Sequence, residues 1–264
     1  MTRFRTLSWG SEQLPAVVCL HGVCGHARQF ERLARMVEER HVVAYDLRGH
    51  GRSPWSGGQS LDQHVDDLDE VIESSGVEQT VLVGHSLGAR IALEYAAGHS
   101  DRVTGLVLLD PPLSSAGRLL RESAHAERLN GCAYASVDAA IESYLSGGGL
   151  VHTPRALLEE EMAEHLVAGE DGRFRLRYSR EAAAQALEEL ADAPPPRLKE
   201  VVCPTLLVRA EQSTLLTEED AEQAAAELRR CTIRVVPGGH AVLWDSLAET
   251  GALVRAFLLA GIRA

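Results

Sequence analysis

The sequence predicts an α/β fold: a mostly parallel central sheet with helices on both faces and an inserted helical segment. Three observations predict it. Short aliphatic runs recur along the chain, amphipathic helical stretches separate them, and residues with catalytic capacity follow the runs directly. The runs are near-continuous rather than alternating, which is how strands covered on both faces read.

The elements follow in order. "RFRTLSW" (3–9) reads as an antiparallel edge strand. The parallel strands are "AVVCLH" (16–21), "HVVAYD" (41–46), "QTVLVG" (79–84), "VTGLVLLD" (103–110), "PTLLVRA" (204–210) and "TIRVVPG" (232–238). Helical patterns cover 27–40, 61–75, 87–98, 217–230 and 246–259. Strand and helix alternate as a parallel sheet requires. The alternation breaks once, after Asp110. An alanine-rich interval punctuated by "SGGGL" (146–150) and "DAPPPRL" (192–198) then runs to Pro204 without a strand. The expected organisation is a core of 1–112 and 200–264 with a helical cap, or lid, at 113–199.

In open parallel sheets, sites form at the carboxyl ends of the strands. There the chain carries "LHGVCG" (20–25), "YDLRGHGRS" (45–53), "VGHSLG" (83–88) and "PGGHAVLWD" (237–245). Together these resemble, in order, the motifs of the α/β-hydrolase fold superfamily. The resemblance extends over essentially the whole chain and implies a serine hydrolase with a G-x-S-x-G nucleophile elbow. Ser86 sits on that elbow, where small neighbours at Gly84 and Gly88 let strand and helix crowd a tight turn. A serine needs a base, and His240 stands where the family carries its histidine. By the same resemblance, the backbone N–H groups of Val23 and Leu87 form the oxyanion hole. His21 is expected to hold loop shape, and Asp46 and Arg48 to be scaffold. His85, Cys24, Leu113 and Trp244 are expected to line the substrate site. Leu113, Leu119, Leu120, Leu129, Tyr134 and Tyr144, near the start of the insertion, supply either its own core or an acyl pocket.

The acid departs from the pattern. Most relatives place an aspartate in the loop after the strand that follows the insertion. Here that loop is "RAEQSTLLTEEDAE", with Thr214 at the usual position and Glu211 nearer the strand end. Some relatives instead take the acid from the strand after the nucleophile helix, which in this chain ends in Asp110. Asp110 is therefore the expected acid and Glu211 the alternative. An aspartate at that place also suits a helix cap.

Composition narrows the partners. The 26 Lys and Arg against 38 Asp and Glu leave a net charge of −12, which disfavours nucleic acid. No apolar run reaches the ~20 residues of a membrane helix, and the N-terminus has no signal-peptide core. The five cysteines (Cys19, Cys24, Cys132, Cys203 and Cys231) have no metal-finger spacing and read as reduced thiols of a cytoplasmic protein. The 11 histidines show no metal-ligand spacing, so no metal or cofactor is expected. Alanine- and arginine-rich usage fits a bacterial source. A small-molecule substrate with an ester, thioester or lactone bond fits best, and oligomeric state is left open. The same scaffold also supports C–C bond hydrolases, hydroxynitrile lyases, perhydrolases and ligand-binding relatives without turnover. A dehalogenase or epoxide hydrolase is disfavoured, since those carry an aspartate where Ser86 stands.

Overall fold

The computed structural model of the chain describes residues 2–113, 115–129, 133–146 and 149–260. Cys132 and the last residues of the 200–264 segment lie outside them. The chain opens with β1 (Thr6–Trp9), β2 (Ala16–Leu20), α1 (Glu31–Met36), β3 (His41–Tyr45), α2 (Leu61–Ser74), β4 (Thr80–His85), α3 (Leu87–Gly98) and β5 (Val103–Leu109). It then leaves the sheet for α4 (Gly117–Leu129), α5 (Val137–Ser146), α6 (Arg155–His165), β6 (Leu166–Ala168), β7 (Phe174–Leu176) and α7 (Arg180–Asp192). It returns with β8 (Thr205–Ala210), α8 (Glu218–Glu227), β9 (Cys231–Val236), α9 (Val242–Asp245) and α10 (Leu247–Leu259).

Among the described residues, one sheet runs in the order β1-β3-β2-β4-β5-β8-β9. Only its β1–β3 pair is antiparallel. The chain steps from β2 to β3 on one side and then to β4 on the other. This reversal opens a crevice at the carboxyl ends of β2 and β4, the place where such sheets bind ligands.

Each central strand feeds two cores, which explains the near-continuous apolar runs. Val18, Leu20, Val43, Tyr45, Leu82, Leu106, Leu108 and Leu207 face the side packed by α2, α3 and α8. The alternate residues Val17, Cys19, Val42, Ala44, Val81, Val83, Val107 and Val208 face the side packed by α1 and α10. Because side chains alternate along a strand, only an all-apolar run can satisfy both faces.

Two stretches differ from the sequence expectation. The helix expected over 27–40 is a 3-10 turn at Ala27–Phe30 followed by α1, after which residues 37–40 turn into β3 with the Arg40 N–H bonded to Val37 O at 2.9 Å. The expected all-helical interval contains an antiparallel hairpin, β6–β7. Strands of three residues are too short to print an alternation on the sequence.

The flanking helices of that interval are not separate from the sheet. Leu120 and Ala124 of α4, and Leu187 and Leu190 of α7, are buried in the main core. A further core forms around Ile141, Leu158, Met162, Leu166, Leu176 and Tyr178, and packs on Val23, Cys24 and Trp244 from the motif loops. Among the described residues, no helix is long and apolar enough to cross a membrane.

Candidate active site

Ser86 stands between β4 and α3 with φ 53° and ψ −121°. A non-glycine residue held there is strained, and the crowding around it shows what enforces the geometry. A β-carbon on Gly84 would overlap the backbone of Gly88 and Ala89, and one on Gly88 would overlap the carbonyls of Leu20 and His21. Strand, helix and the β2 loop therefore close around a turn that only glycine permits. The first turn of α3 directs its N–H dipoles at the space beside Ser86.

The β2 loop faces this turn. A β-carbon on Gly22 would come within 2.9 Å of Ser86 Cβ, so the loop passes directly over the serine. Two buried histidines fix it. His21 Nδ1–H donates to Gly22 O at 2.7 Å, while its Nε2 accepts the Leu47 N–H at 2.9 Å. His50 Nδ1–H donates to Arg48 O at 2.9 Å, and its Nε2 accepts the Cys24 N–H at 3.1 Å, holding Cys24 at φ 64°. Burial pushes both imidazoles below their ordinary pKa, which keeps them neutral and able to accept. Among the described residues, no protein group accepts the N–H of Val23 or Leu87. Asp46 and Arg48 are engaged elsewhere. Asp46 accepts the N–H groups of Ala27 and Arg52, and Arg48 forms a buried pair with Asp67 at 2.5 Å.

His240 follows β9. Its Nδ1–H donates to Asp110 Oδ2 at 2.7 Å, which leaves Nε2 as the acceptor toward the cavity. Asp110 ends β5 at φ 46° and is fully buried. Two further donors hold its carboxylate: the Ala210 N–H on Oδ1 at 2.9 Å and the Ser213 hydroxyl on Oδ2 at 2.6 Å. Glu211 is exposed, and among the described residues only its backbone N–H is engaged, with Val236 O at 2.8 Å. The loop after β8 thus brings Ser213 onto the carboxylate that His240 uses, while neither Glu211 nor Thr214 has a side-chain hydrogen bond among the described residues. His85 donates from Nε2 to His240 O at 2.9 Å, with the two rings 4.7 Å apart. Burial, and then the His240 ring, push His85 down to about 4, so it is neutral at pH 7. No hydrogen bond joins Ser86 to His240 among the described residues, but both side chains line one cavity.

That cavity has a volume of about 610 Å³. Val23, Cys24, His85 and Trp244 line it with Ser86 and His240, and Tyr134 and Tyr144 reach it from the inserted segment. Leu113 does not. It is buried in the main core and borders a separate cleft beside Pro195 and Leu198. The Pro111-Pro112 step after Asp110 leads it into that core rather than to the cavity of Ser86. Leu120 is also core, and Leu129 is exposed. Two groups gave no sequence signal. Glu127, Tyr178 and Arg180 form a polar wall of the cavity. Asp245 ties the histidine loop to the inserted segment, accepting from the N–H groups of Gly239 (2.7 Å), Val151 (3.0 Å) and His152 (3.0 Å) and from the Thr153 hydroxyl. Burial alone would raise its pKa, but Thr153 and the three N–H groups outweigh it and hold the carboxyl below the usual range.

The model of the alpha/beta hydrolase family matches residues 17–253. The chain is 34% identical to Lipase LipV of Mycobacterium tuberculosis over 250 residues, covering 92% of each chain. It is 31% identical to 2-(acetamidomethylene)succinate hydrolase of Mesorhizobium japonicum over 230 residues, covering 85% of this chain and 80% of that one. A crystal structure of E-2-(acetamidomethylene)succinate hydrolase superposes with a TM-score of 0.84 at 26% identity, covering 97% of this chain and 94% of the other.

Proposed function

The chain belongs to the alpha/beta hydrolase family and is an enzyme of that class, and we propose that it cleaves an ester, thioester or lactone bond of a small to medium molecule through an acyl-enzyme formed on Ser86. One observation carries this reading. A serine strained at φ 53° shares a cavity with a histidine whose far nitrogen is 2.7 Å from a buried carboxylate.

In this mechanism Ser86 Oγ attacks the carbonyl carbon while His240 Nε2 takes its proton. Asp110 holds the Nδ1–H tautomer and stabilises the imidazolium that forms. The N–H groups of Val23 and Leu87 receive the oxyanion, helped by the dipole of α3. His240 returns the proton to the leaving group, and a water then repeats the sequence to release the acid. The neutral His85 braces the His240 backbone without competing for the proton. The volume of about 610 Å³ suits a drug-sized molecule. The relative named a lipase supports an ester over other bonds. Segment 113–199 serves as the cap through α5, α6 and the β6–β7 hairpin, while α4 and α7 belong structurally to the core.

The test is a panel of p-nitrophenyl esters, acyl thioesters and lactones, assayed with wild type and Ser86→Ala. Wild type should turn over at least one of them, and Ser86→Ala should lose several orders of magnitude in kcat with its fold intact. Near-wild-type rates in Ser86→Ala would overturn the reading.

A further inference from the structure

We propose that Glu127 forms a hydrogen-bond subsite in the cavity that selects acyl groups bearing a hydroxyl over unsubstituted chains. This rests on the reading of Ser86 as an ester-cleaving nucleophile.

Glu127 lies in the last turn of α4, and its two carboxylate oxygens are used unequally. Oε2 accepts the Tyr178 hydroxyl at 3.0 Å and pairs with Arg180 Nη2 at 3.2 Å. Oε1 meets only the Cys24 thiol at 3.7 Å among the described residues. A thiol is a weak donor, so Oε1 keeps acceptor capacity, beside Cys24, which lines the cavity as Glu127 does. The carboxylate cannot readily swing away, because Arg180 Nε also donates to the Glu127 carbonyl at 2.9 Å and so grips both ends of the residue.

Its position ties this acceptor to the reaction. Cys24 follows Val23, whose N–H is assigned to the oxyanion, and His50 fixes the backbone between them and the sheet. A substrate carbonyl at the Val23 amide therefore places its acyl chain along the wall that ends at Glu127. Elsewhere the cavity presents Leu150, Leu176, Leu243 and Trp244. Gln29, Ser143, Tyr134 and Tyr144 add neutral polar groups to the lining, so Glu127 offers a charged acceptor in a mixed wall, as expected for a site that binds a chain and reads one group on it.

The charge balance selects the kind of group. Glu127 and Arg180 pair with one another, so a substrate carboxylate would meet Oε1 as a like charge, while the attraction of Oε1 for an ammonium would be offset by the nearby Arg180. A neutral donor suffers neither repulsion. An alkyl chain laid against Oε1 would strip its water and return no hydrogen bond, whereas a hydroxyl replaces the bond. Cys24 is not a rival nucleophile here. Burial, and then the Glu127 charge, push its thiol pKa well up and keep it protonated.

The experiment compares kcat/KM for p-nitrophenyl esters of linear acids from four to eight carbons with their hydroxylated analogues, the hydroxyl moved one carbon at a time. Wild type should prefer one hydroxylated ester over its parent by at least about tenfold. Glu127→Leu should bring that ratio close to one, and Ser86→Ala should lose both substrates alike. The wild-type ratio requires no substitution, so it decides even if Glu127→Leu fails to fold. No preference in wild type, or a ratio unchanged in folded Glu127→Leu, overturns the subsite while Ser86-dependent hydrolysis still stands. Absence of turnover on every ester, with no fluorophosphonate adduct on Ser86, overturns the parent reading and the subsite together.

Discussion

Replacing Asp110 by asparagine perturbs the candidate triad at one atom. The carboxylate accepts three hydrogen bonds, from Ala210 N–H on Oδ1 and from Ser213 Oγ and His240 Nδ1 on Oδ2. The introduced amide has one acceptor and one donor end, and two orientations. If its oxygen keeps the Ala210 N–H, its NH₂ faces His240 Nδ1. The imidazole then carries its proton on Nε2 and cannot take one from Ser86. If the amide flips, the right tautomer survives, but the NH₂ confronts a buried backbone N–H. That conflict costs about 1–3 kcal/mol, or roughly 5- to 150-fold in the competent population. Both orientations also lose the charge that stabilises the imidazolium. In a serine protease the corresponding exchange costs ~10⁴ in kcat. We therefore expect Asp110→Asn to lower kcat by ~10²–10⁴ with little change in KM. Steady-state hydrolysis of a short p-nitrophenyl ester near pH 7 measures it, with circular dichroism to confirm the fold. Glu211→Gln is the control and should stay within about twofold of wild type, because its side chain is exposed and, among the described residues, makes no hydrogen bond to His240 or Asp110. A folded Asp110→Asn that keeps more than a tenth of wild-type kcat would refute the reasoning. So would a crippled Glu211→Gln.

The remaining predictions concern the supports of the site. Ser213→Ala removes one donor from Asp110 and the acceptor of the Leu215 and Leu216 N–H groups; it should cost about 1–3 kcal/mol of stability in denaturant unfolding and less activity than Asp110→Asn. Asp245→Ala frees residues 151–153 from the histidine loop, so KM should rise more than kcat falls, and limited proteolysis should cut near 149–153 faster than in wild type; an unchanged KM and cleavage pattern would contradict the tether. The last prediction is acid sensitivity. Burial, and then the Arg48 charge, push His64 down to about 3. Folded His64 is therefore neutral, while the unfolded chain binds a proton below about 6.5. Stability from this group is complete above that pH and falls by about 1.4 kcal/mol per unit as pH drops toward 3. Urea midpoints at pH 7, 6 and 5 should decrease, and His64→Leu should show a shallower decline; equal midpoints across that range would refute it.

What the sequence made legible was local. The two-sided strands, the Ser86 elbow with its glycines and the position of His240 are each written in five to ten consecutive residues, because a turn or a two-faced strand constrains its own neighbours. Contacts between distant segments were less legible. The loop after β8 holds no aspartate, and nothing in "EQST" says that Ser213 would reach Asp110 from it, since that depends on β5 and β8 being neighbours. Leu113 reads as a pocket residue by its place at the start of the insertion, but the chain turns it into the main core. Glu127 is separated from Tyr178 and Arg180 by α5, α6 and a hairpin too short to show a strand pattern, so their convergence appears only when α4 and α7 are seen side by side. Asp245 looks like an ordinary acidic residue in "LWDS" until the backbone of 151–153 is brought against it.

The central claim is that Ser86 is a nucleophile activated by His240. Intact-mass spectrometry of the protein treated with a fluorophosphonate, followed by peptide mapping, tests it most directly. Wild type should gain a single adduct on Ser86, Ser86→Ala should gain none, and His240→Ala should react far more slowly. An adduct on another residue, or equal labelling of Ser86→Ala, would contradict the account.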